Sequence, residues 1–411
     1  MGQGSDTRLN SGMRLVHLAD LHLGFRQYQR LTSAGINQRE ADVGNTAARA
    51  IDAIIALRPD AVVVAGDVFH AVRPSNSAIL FAYRQFLRLR TELPGAAIVM
   101  VAGNHDAPRT TDAGCILRLF REIGIQVADA KAELFTYPGM SLAVMAVPDV
   151  PGIERPQFLP QPGLQHNVLL MHGEIQGVLP SHVAPADRAA IEIPVADLNA
   201  ERWSYIALGH YHVYREVAPH SYYSGSLDYT SSNPWGELKE ERESRVPGKG
   251  FIEHNLITHE HRFHAVRASR LLLDLDPIDA NGLTAAELDL AIAARIVAVG
   301  DGIDDRVVRL SVRNVPRHIA RELDQVALRE YKRRSLHFQL DTRKPDPVSQ
   351  RVTSGGAPGR RATLEELVAE RLNERVLPAG VERAQLVTMG LRYLAEAEET
   401  VVGAALSVAE N

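Results

Sequence analysis

The chain has 411 residues, is 45% hydrophobic and 23% charged, and carries a formal net charge of −5 with a single cysteine, Cys115. That length holds two or three domains with a sizeable core, and the ordinary composition excludes fibrous and wholly disordered classes. The acidic balance excludes a globally basic nucleic-acid binder, the lone cysteine excludes an intrachain disulfide or a thiolate metal cluster and fits a reducing, cytoplasmic setting, and no apolar run reaches the roughly 18 residues that cross a bilayer, so no membrane contact is expected.

In chain order, residues 1–12, "MGQGSDTRLNSG", read as a disordered tail, polar and without a signal-peptide core. Short apolar runs then alternate with amphipathic segments. The runs are "RLVHLA" (Arg14–Ala19), "AVVVAG" (Ala61–Gly66), "AAIVMVAG" (Ala96–Gly103), "LAVMAV" (Leu142–Val147), "NVLLM" (Asn167–Met171) and "YIALG" (Tyr205–Gly209). Their shortness and β-branched content fit buried strands. Helical patterns lie near Glu40–Leu57 and Ser77–Leu93, with Ser75 or Asn76 as a cap for the second. Strand and helix in alternation predict an α/β layered core over 13–268. From about 269 to 342 a βαβαβ run follows: "RLLLDLD", a helix over Thr284–Val299, "RVVRLSV", a helix over Pro316–Tyr331 and "SLHFQLD". It reads as a small α/β capping domain. Residues 343–361, rich in Pro, Gly, Ser and Arg, read as a linker. Residues 362–411 read as a helical tail with helices over Thr363–Arg375 and Glu382–Val402, docked on the core or on a partner.

The strand ends carry the chemistry. The first releases Asp20 and His22 ("ADLHLG"), the second Asp67 and His70 ("GDVFH"), the third Asn104, His105 and Asp106 ("GNHD"). "NVLLM" runs into His172, and "YIALG" into His210 and His212 ("HYH"). In α/β sheets the carboxyl edge is where ligands bind. Asp20, His22, Asp67, Asn104, His172, His210 and His212 are too many donors for one zinc ion and suit two ions sharing a carboxylate. A mixed N and O set without sulfur fits manganese, iron or zinc. Two such ions can clamp a phosphoryl centre. His105 and His70 are left to touch phosphate or protonate a leaving oxygen, and Asp106 to orient the His105 ring.

"DLH", "GDVFH", "GNHD", a lone His and "GHYH", in this order, resemble the motifs of the calcineurin-like metallophosphoesterases. The fuller segments "LADLHLGFRQY", "AGDVFHAVRPS", "AGNHDAP" and "ALGHYHV" with "YYSGS" are similar to the SbcD-type nuclease subunit of DNA double-strand-break repair complexes, over about Met13 to Gly250. The resemblance implies a four-layer sandwich, two mixed β-sheets flanked by helices, with a small cap and helices that dock on an SbcC-type coiled-coil ATPase. It implies two divalent ions, manganese expected: one held by Asp20, His22, Asp67 and His212, the other by Asp67, Asn104, His172 and His210. It implies His105 as general acid, His70 positioning the phosphate or DNA, and 3′-to-5′ exonuclease and single-strand endonuclease activity in DNA repair. Two alternatives stay open: a phosphodiesterase or phosphatase for small phosphoesters, and a non-catalytic repair scaffold.

Other features are read more plainly. "HNLITHEHRFH" (His254–His264) reads as an exposed strand face rather than a second metal site, because its spacing has no partner cluster. His17 reads as a core or supporting residue. "YKRRS" (Tyr331–Ser335) reads first as a solvated helix end, with contact to DNA phosphate as the alternative. Arg26, Tyr28 and Arg73 are candidates to line a DNA groove, and the helix near Ser77–Leu93 is an open candidate for a homodimer face.

Overall fold

A computed structural model describes residues 12–108, 114–152, 157–178, 188–344, 364–374 and 382–394. The chain forms two compact units, Met1–Pro345 and Asp346–Asn411. The expected tail 1–12 and the expected linker lie almost wholly outside the described residues, as does the end of the last predicted helix.

The first unit is built on two six-stranded sheets. In the first, Arg14–Leu18, Ala61–Val64, Ala97–Val101 and Gln126–Ala128 run parallel, and Gly250–Asn255 and His261–Ala265 extend it antiparallel beyond Arg14–Leu18. In the second, Leu142–Val147, His166–His172, Tyr205–Gly209 and Ser221–Tyr223 are parallel, with Glu133–Tyr137 and Arg215–Ala218 antiparallel at the edges. Both faces of the central strands are covered, which is why they read as continuous apolar runs rather than alternating ones. Side-chain alternation still sorts them into layers. Leu15, Val63, Val99 and Val101 point inward to Val144, Val168, Leu170 and Ala207 between the sheets. Val16, Leu18, Val62, Val64 and Met100 point outward to Ile51, Ile54, Phe86 and Leu89 of the helices. Leu169, Met171, Ile206 and Leu208 face Ile191, Leu198 and Trp203 on the far side of the second sheet, where short 3-10 turns such as Val195–Leu198 provide cover.

The two long helices begin where side-chain oxygens meet free N–H groups. Asn37 caps Gln38–Leu57 through the Arg39 and Glu40 amides, and Ser75 caps Asn76–Glu92 through Ala78. The small α/β layer has three parallel strands, Leu272–Asp279, Val307–Arg313 and His337–Thr342, and its own core around Leu288, Ile292, Leu310 and Phe338. Its Pro316–Tyr331 segment is two helices, not one: Arg317–Glu322 ends before Leu323, and Asp324 caps Gln325–Arg334 with its carboxylate on two backbone amides. Asp324 is a better cap than an interior helix residue, and that local bond wins. The layer is tied to the rest of the unit by Arg30 to Asp305 (3.0 Å) and by Arg270, which pairs with Asp42 and donates to the Asp305 carbonyl. In the second unit the helices Leu364–Glu374 and 383–394 are joined by Arg383 donating to the Leu372 carbonyl.

A buried ion pair ties the first long helix to a loop far along the chain. Arg39, on the first long helix, donates to Asp228 at 2.9 Å, and Thr46 donates to the other carboxylate oxygen at 2.8 Å. Asp228→Ala strands the buried Arg39 cation, which keeps Asp42 at 3.5 Å as its other carboxylate neighbour. The expected cost is about 3–5 kcal/mol of unfolding free energy, read from urea denaturation.

Candidate dimetal centre

The carboxyl ends of strands from both sheets meet at one edge. Asp20 and His22 leave Arg14–Leu18, Asp67 leaves Ala61–Val64, and Asn104 and His105 leave Ala97–Val101; His172 closes His166–His172, and His210 and His212 leave Tyr205–Gly209. The chain past the first two strands keeps parallel contact: the Asp20 amide donates to the Gly66 carbonyl (3.0 Å) and the His22 amide to the Asp67 carbonyl (2.9 Å). Asp20, His22, Asp67 and His210 have positive φ (54°, 45°, 50° and 105°), a conformation that β-carbon residues avoid. Such strain gathers at functional sites.

The side chains form two adjoining triads. Asp20, His22 and His212 each offer a ligand atom, all within 4.8 Å of one another, and so do Asp67, His172 and His210. Asp67 Oδ2 stands between them, 3.7 Å from His22 Nε2 and 3.6 Å from His172 Nε2. Asn104 Oδ1 lies 3.0 Å from His172 Nε2 and 3.2 Å from His210 Nδ1. The seven donors named from the strand ends therefore come together. Gly103 allows this closeness: a Cβ there would stand 2.1 Å from Asp67 Oδ1.

The outer ring nitrogens reveal which way the lone pairs point. His172 Nδ1 lies 2.8 Å from the Ala65 carbonyl, which only accepts, so Nδ1 carries the hydrogen and Nε2 faces inward bare. His210 Nε2 is 3.2 Å from Glu174, and His212 Nδ1 is 3.3 Å from Glu237. Burial pushes the Glu237 carboxyl up, but the Lys249 ammonium and the His212 ring outweigh it and hold it at about 2. Burial likewise raises Glu174, yet His210, the Ala189 amide and Arg188 leave it below its ordinary value. Both carboxylates are thus ionised acceptors, and they hold the ring hydrogens on the outside. Burial pushes His22 and His172 down, so both stay neutral. His22 Nε2 and His212 Nε2 then approach to 3.0 Å. Of the two buried carboxyls, Asp20 is pushed well up by burial and by Asp67, while Asp67, also raised by burial, is pulled below its usual range by His172 and His105. Nitrogen and oxygen lone pairs converge here with the hydrogens turned away. That donor chemistry fits two divalent cations.

The third histidine group flanks this pair. His70 Nδ1 is 3.4 Å from His22 Nδ1, and the His70 and His105 rings stack with centroids 5.4 Å apart. His105 Nδ1 lies 2.8 Å from the His70 carbonyl and its amide donates to Asp67 at 2.9 Å, so Nε2 is the ring nitrogen left to face the site. Asp106 does not orient His105. Its carboxylate instead accepts the amides of Val68 (3.1 Å), Phe69 (2.9 Å) and Gly103 (3.1 Å), tying the second strand's end to the third's. A short Asp after a strand reaches main chain sooner than it reaches a ring. Arg26 pairs with Glu40 at 2.7 Å, Tyr28 stacks on His337 at 4.2 Å, and in the basic run Arg333 pairs with Glu330 and Arg334 with Asp304, each at 2.7 Å. These ties occupy side chains that the sequence offered for DNA.

Glu174, Glu237 and Lys249 were not anticipated. Glu174 stands in "HGE", two residues past His172, and that proximity was a usable signal. Glu237 lies on the helix Pro234–Glu243, and Lys249 binds it while also holding Glu241 at 3.0 Å and the His212 carbonyl at 2.7 Å.

The calcineurin-like phosphoesterase family profile matches residues 13–262. The chain belongs to this family. Among curated relatives, the DNA double-strand break repair protein Mre11 of Sulfurisphaera tokodaii is 28% identical over 210 residues, 50% of each chain. That of Methanococcus maripaludis is 27% identical over 252 residues, 58% of this chain and 62% of the relative. That of Methanosarcina mazei is 25% identical over 383 residues, 83% of this chain and 58% of the relative. The chain thus spans about half to three-fifths of the length of these relatives.

Two outcomes follow from this geometry. Gly103→Ala drives a methyl into Asp67, and divalent-metal content measured after dialysis falls well below the parent's while far-UV circular dichroism is kept. Glu237 has a folded value of about 2 against an ordinary 4.5, so its charge stabilises the fold fully above pH 4.5 and loses that effect as pH falls toward 2. The stability gap between the parent and Glu237→Gln is then about 3 kcal/mol at neutral pH, narrowing in denaturant titrations as pH drops below 4.5.

Proposed function

We propose that this protein is a DNA nuclease of repair that depends on two divalent ions, with 3′-to-5′ exonuclease and single-strand endonuclease action. Asp20, His22, Asp67 and His212 would hold one ion, and Asp67, Asn104, His172 and His210 the other, with Asp67 common to both sets. The observation that carries this reading is Asp67 Oδ2 standing midway between His22 and His172. Manganese is the proposed ion, since the set mixes carboxylate and amide oxygens with imidazoles. Bound there, two such ions offset charge on phosphoryl oxygens and lower the pKa of water. His105, once it carries a proton on Nε2 as well, gives that proton to the departing oxygen, because its Nδ1 is committed to the His70 carbonyl. His70, stacked on His105, orients the phosphodiester.

The similarity to Mre11 repair proteins supports DNA as substrate, and the resemblance to SbcD-type subunits supports an SbcC-type coiled-coil ATPase as partner. The tail helices suit that docking, with Leu367, Met389 and Tyr393 exposed. Leu80 and Leu87, exposed two turns apart on Asn76–Glu92, suit a homodimer face. No described helix is long and apolar enough to cross a membrane, and the proposed setting is the cytoplasm.

The test is cleavage of single-stranded DNA in manganese, beside bis-p-nitrophenyl phosphate. The expected result is cut DNA, with His105→Ala keeping both metals while losing about 10²–10⁴-fold in rate. Asp67→Ala loses metal as well, by elemental analysis. Turnover of the small ester without DNA cleavage, even with the ATPase added, replaces the nuclease reading with a small-substrate phosphodiesterase.

A further inference from the structure

The segment His254–His264 is not one exposed strand face. It is a hairpin whose first strand, Gly250–Asn255, is buried throughout, and whose second is His261–Ala265. The partner its histidines lacked in the sequence arrives from the other sheet. His220, in the turn between Arg215–Ala218 and Ser221–Tyr223, comes to His254 and to His259 of the hairpin loop. Each of the three offers a ring nitrogen, and the three nitrogens lie within 4.8 Å of one another. His220 and His259 stack with centroids 4.0 Å apart, and both have positive φ, 55° and 58°.

His254 supplies the independent sign of a ligand. Its side chain is fully buried (0% exposed), and neither Nδ1 nor Nε2 has a hydrogen-bond partner. Leaving both nitrogens of a buried imidazole unmet costs about 1–3 kcal/mol for each group. The Tyr205 ring packs on it at 4.6 Å, with no polar atom satisfying it. Burial, with His261, His220 and His259 nearby, pushes its value down to about 3, so the ring keeps a lone pair at any physiological pH.

We propose that His220, His254 and His259 form a divalent-metal site separate from the strand-end centre, taking a zinc-class ion that clips the two sheets together. Three imidazoles and no carboxylate suit zinc over manganese, and leave a fourth position for water. Zinc with bonds of about 2.0–2.1 Å draws its nitrogens to roughly 3.4 Å, so the rings close by small rotations of the half-exposed His220 and the exposed His259. The site lies at the opposite end of the strands from the other histidines: the His220 carbonyl accepts the Ile206 amide, while His210 follows Gly209. That is about 10–13 Å along the strand.

The test uses the full chain with manganese first saturating the strand-end centre, followed by zinc, dialysis and elemental analysis. The expected result is about one zinc per chain more in the parent than in His259→Ala or in His220→Ala, both of which alter accessible residues. Zinc also raises the Tm of the parent and not of either variant. An Asp20→Asn, Asp67→Asn variant retains that one zinc. Equal zinc in the parent and in both histidine variants overturns the site. Zinc bound at these histidines with no rise in Tm overturns the clip.

Discussion

Two carboxylates buried beside one another, Asp20 and Asp67, set the terms for this molecule. The groups around them are mostly imidazoles, of which His22 and His172 are held neutral by burial; the Lys249 ammonium draws Asp20 down, but burial and Asp67 outweigh it. In a low-dielectric interior such a pair is tolerable only if one carboxyl takes a proton or cations enter. The opposite directions of the two groups, Asp20 up and Asp67 down, are what a shared deficit of positive charge produces. The layered core makes the arrangement possible. It forces parallel strands of two sheets to end at one edge, and so fixes donors from positions 20 to 212 without using a flexible loop as the scaffold.

The supporting carboxylates act on hydrogen placement rather than on charge. Glu174 and Glu237 each fix which nitrogen of a histidine carries its hydrogen. Lys249 keeps Glu237 ionised and anchors the carbonyl of the same histidine. The buried Lys249 would itself be expensive alone, but Glu237 and Glu241 raise its value against burial. The orientation of His212 therefore depends on a helix, Pro234–Glu243, that contributes no ligand of its own.

Much of this was legible in the sequence. Apolar runs with Asp, His or Asn just beyond them marked strand ends and all seven central donors, because a strand buried on both faces admits few polar residues earlier, His17 being one. What was not legible depended on distance. Glu237 reads as one of many glutamates on a polar helix, and only the fold brings it to His212. The break at Leu323 was hidden because apolar spacing continues through it, while the deciding bond is made by one aspartate to the main chain. His220 stands 34 positions before His254, with nothing in the spacing to join a turn of one sheet to a strand of the other.

The backbone carries a related tension. Four residues of the strand-end centre hold left-handed or similar φ values, each costing on the order of 1–3 kcal/mol, which together rivals the net stability of an ordinary domain. Such conformations persist only where neighbours over-determine them. Here they do: the amides of Asp20, His22 and His210 are each bound, to the Gly66 carbonyl, the Asp67 carbonyl and the Asp20 carboxylate, and Asp106 clamps the amides after Asp67. The turns that aim ligands inward are thus held through their backbone amides, with the His210 amide reaching from the second sheet to the Asp20 carboxylate of the first, and the donors are positioned before any ion arrives. A site organised in this way spends little of its binding free energy on ordering the protein, which is the advantage of building it on strands rather than on loops.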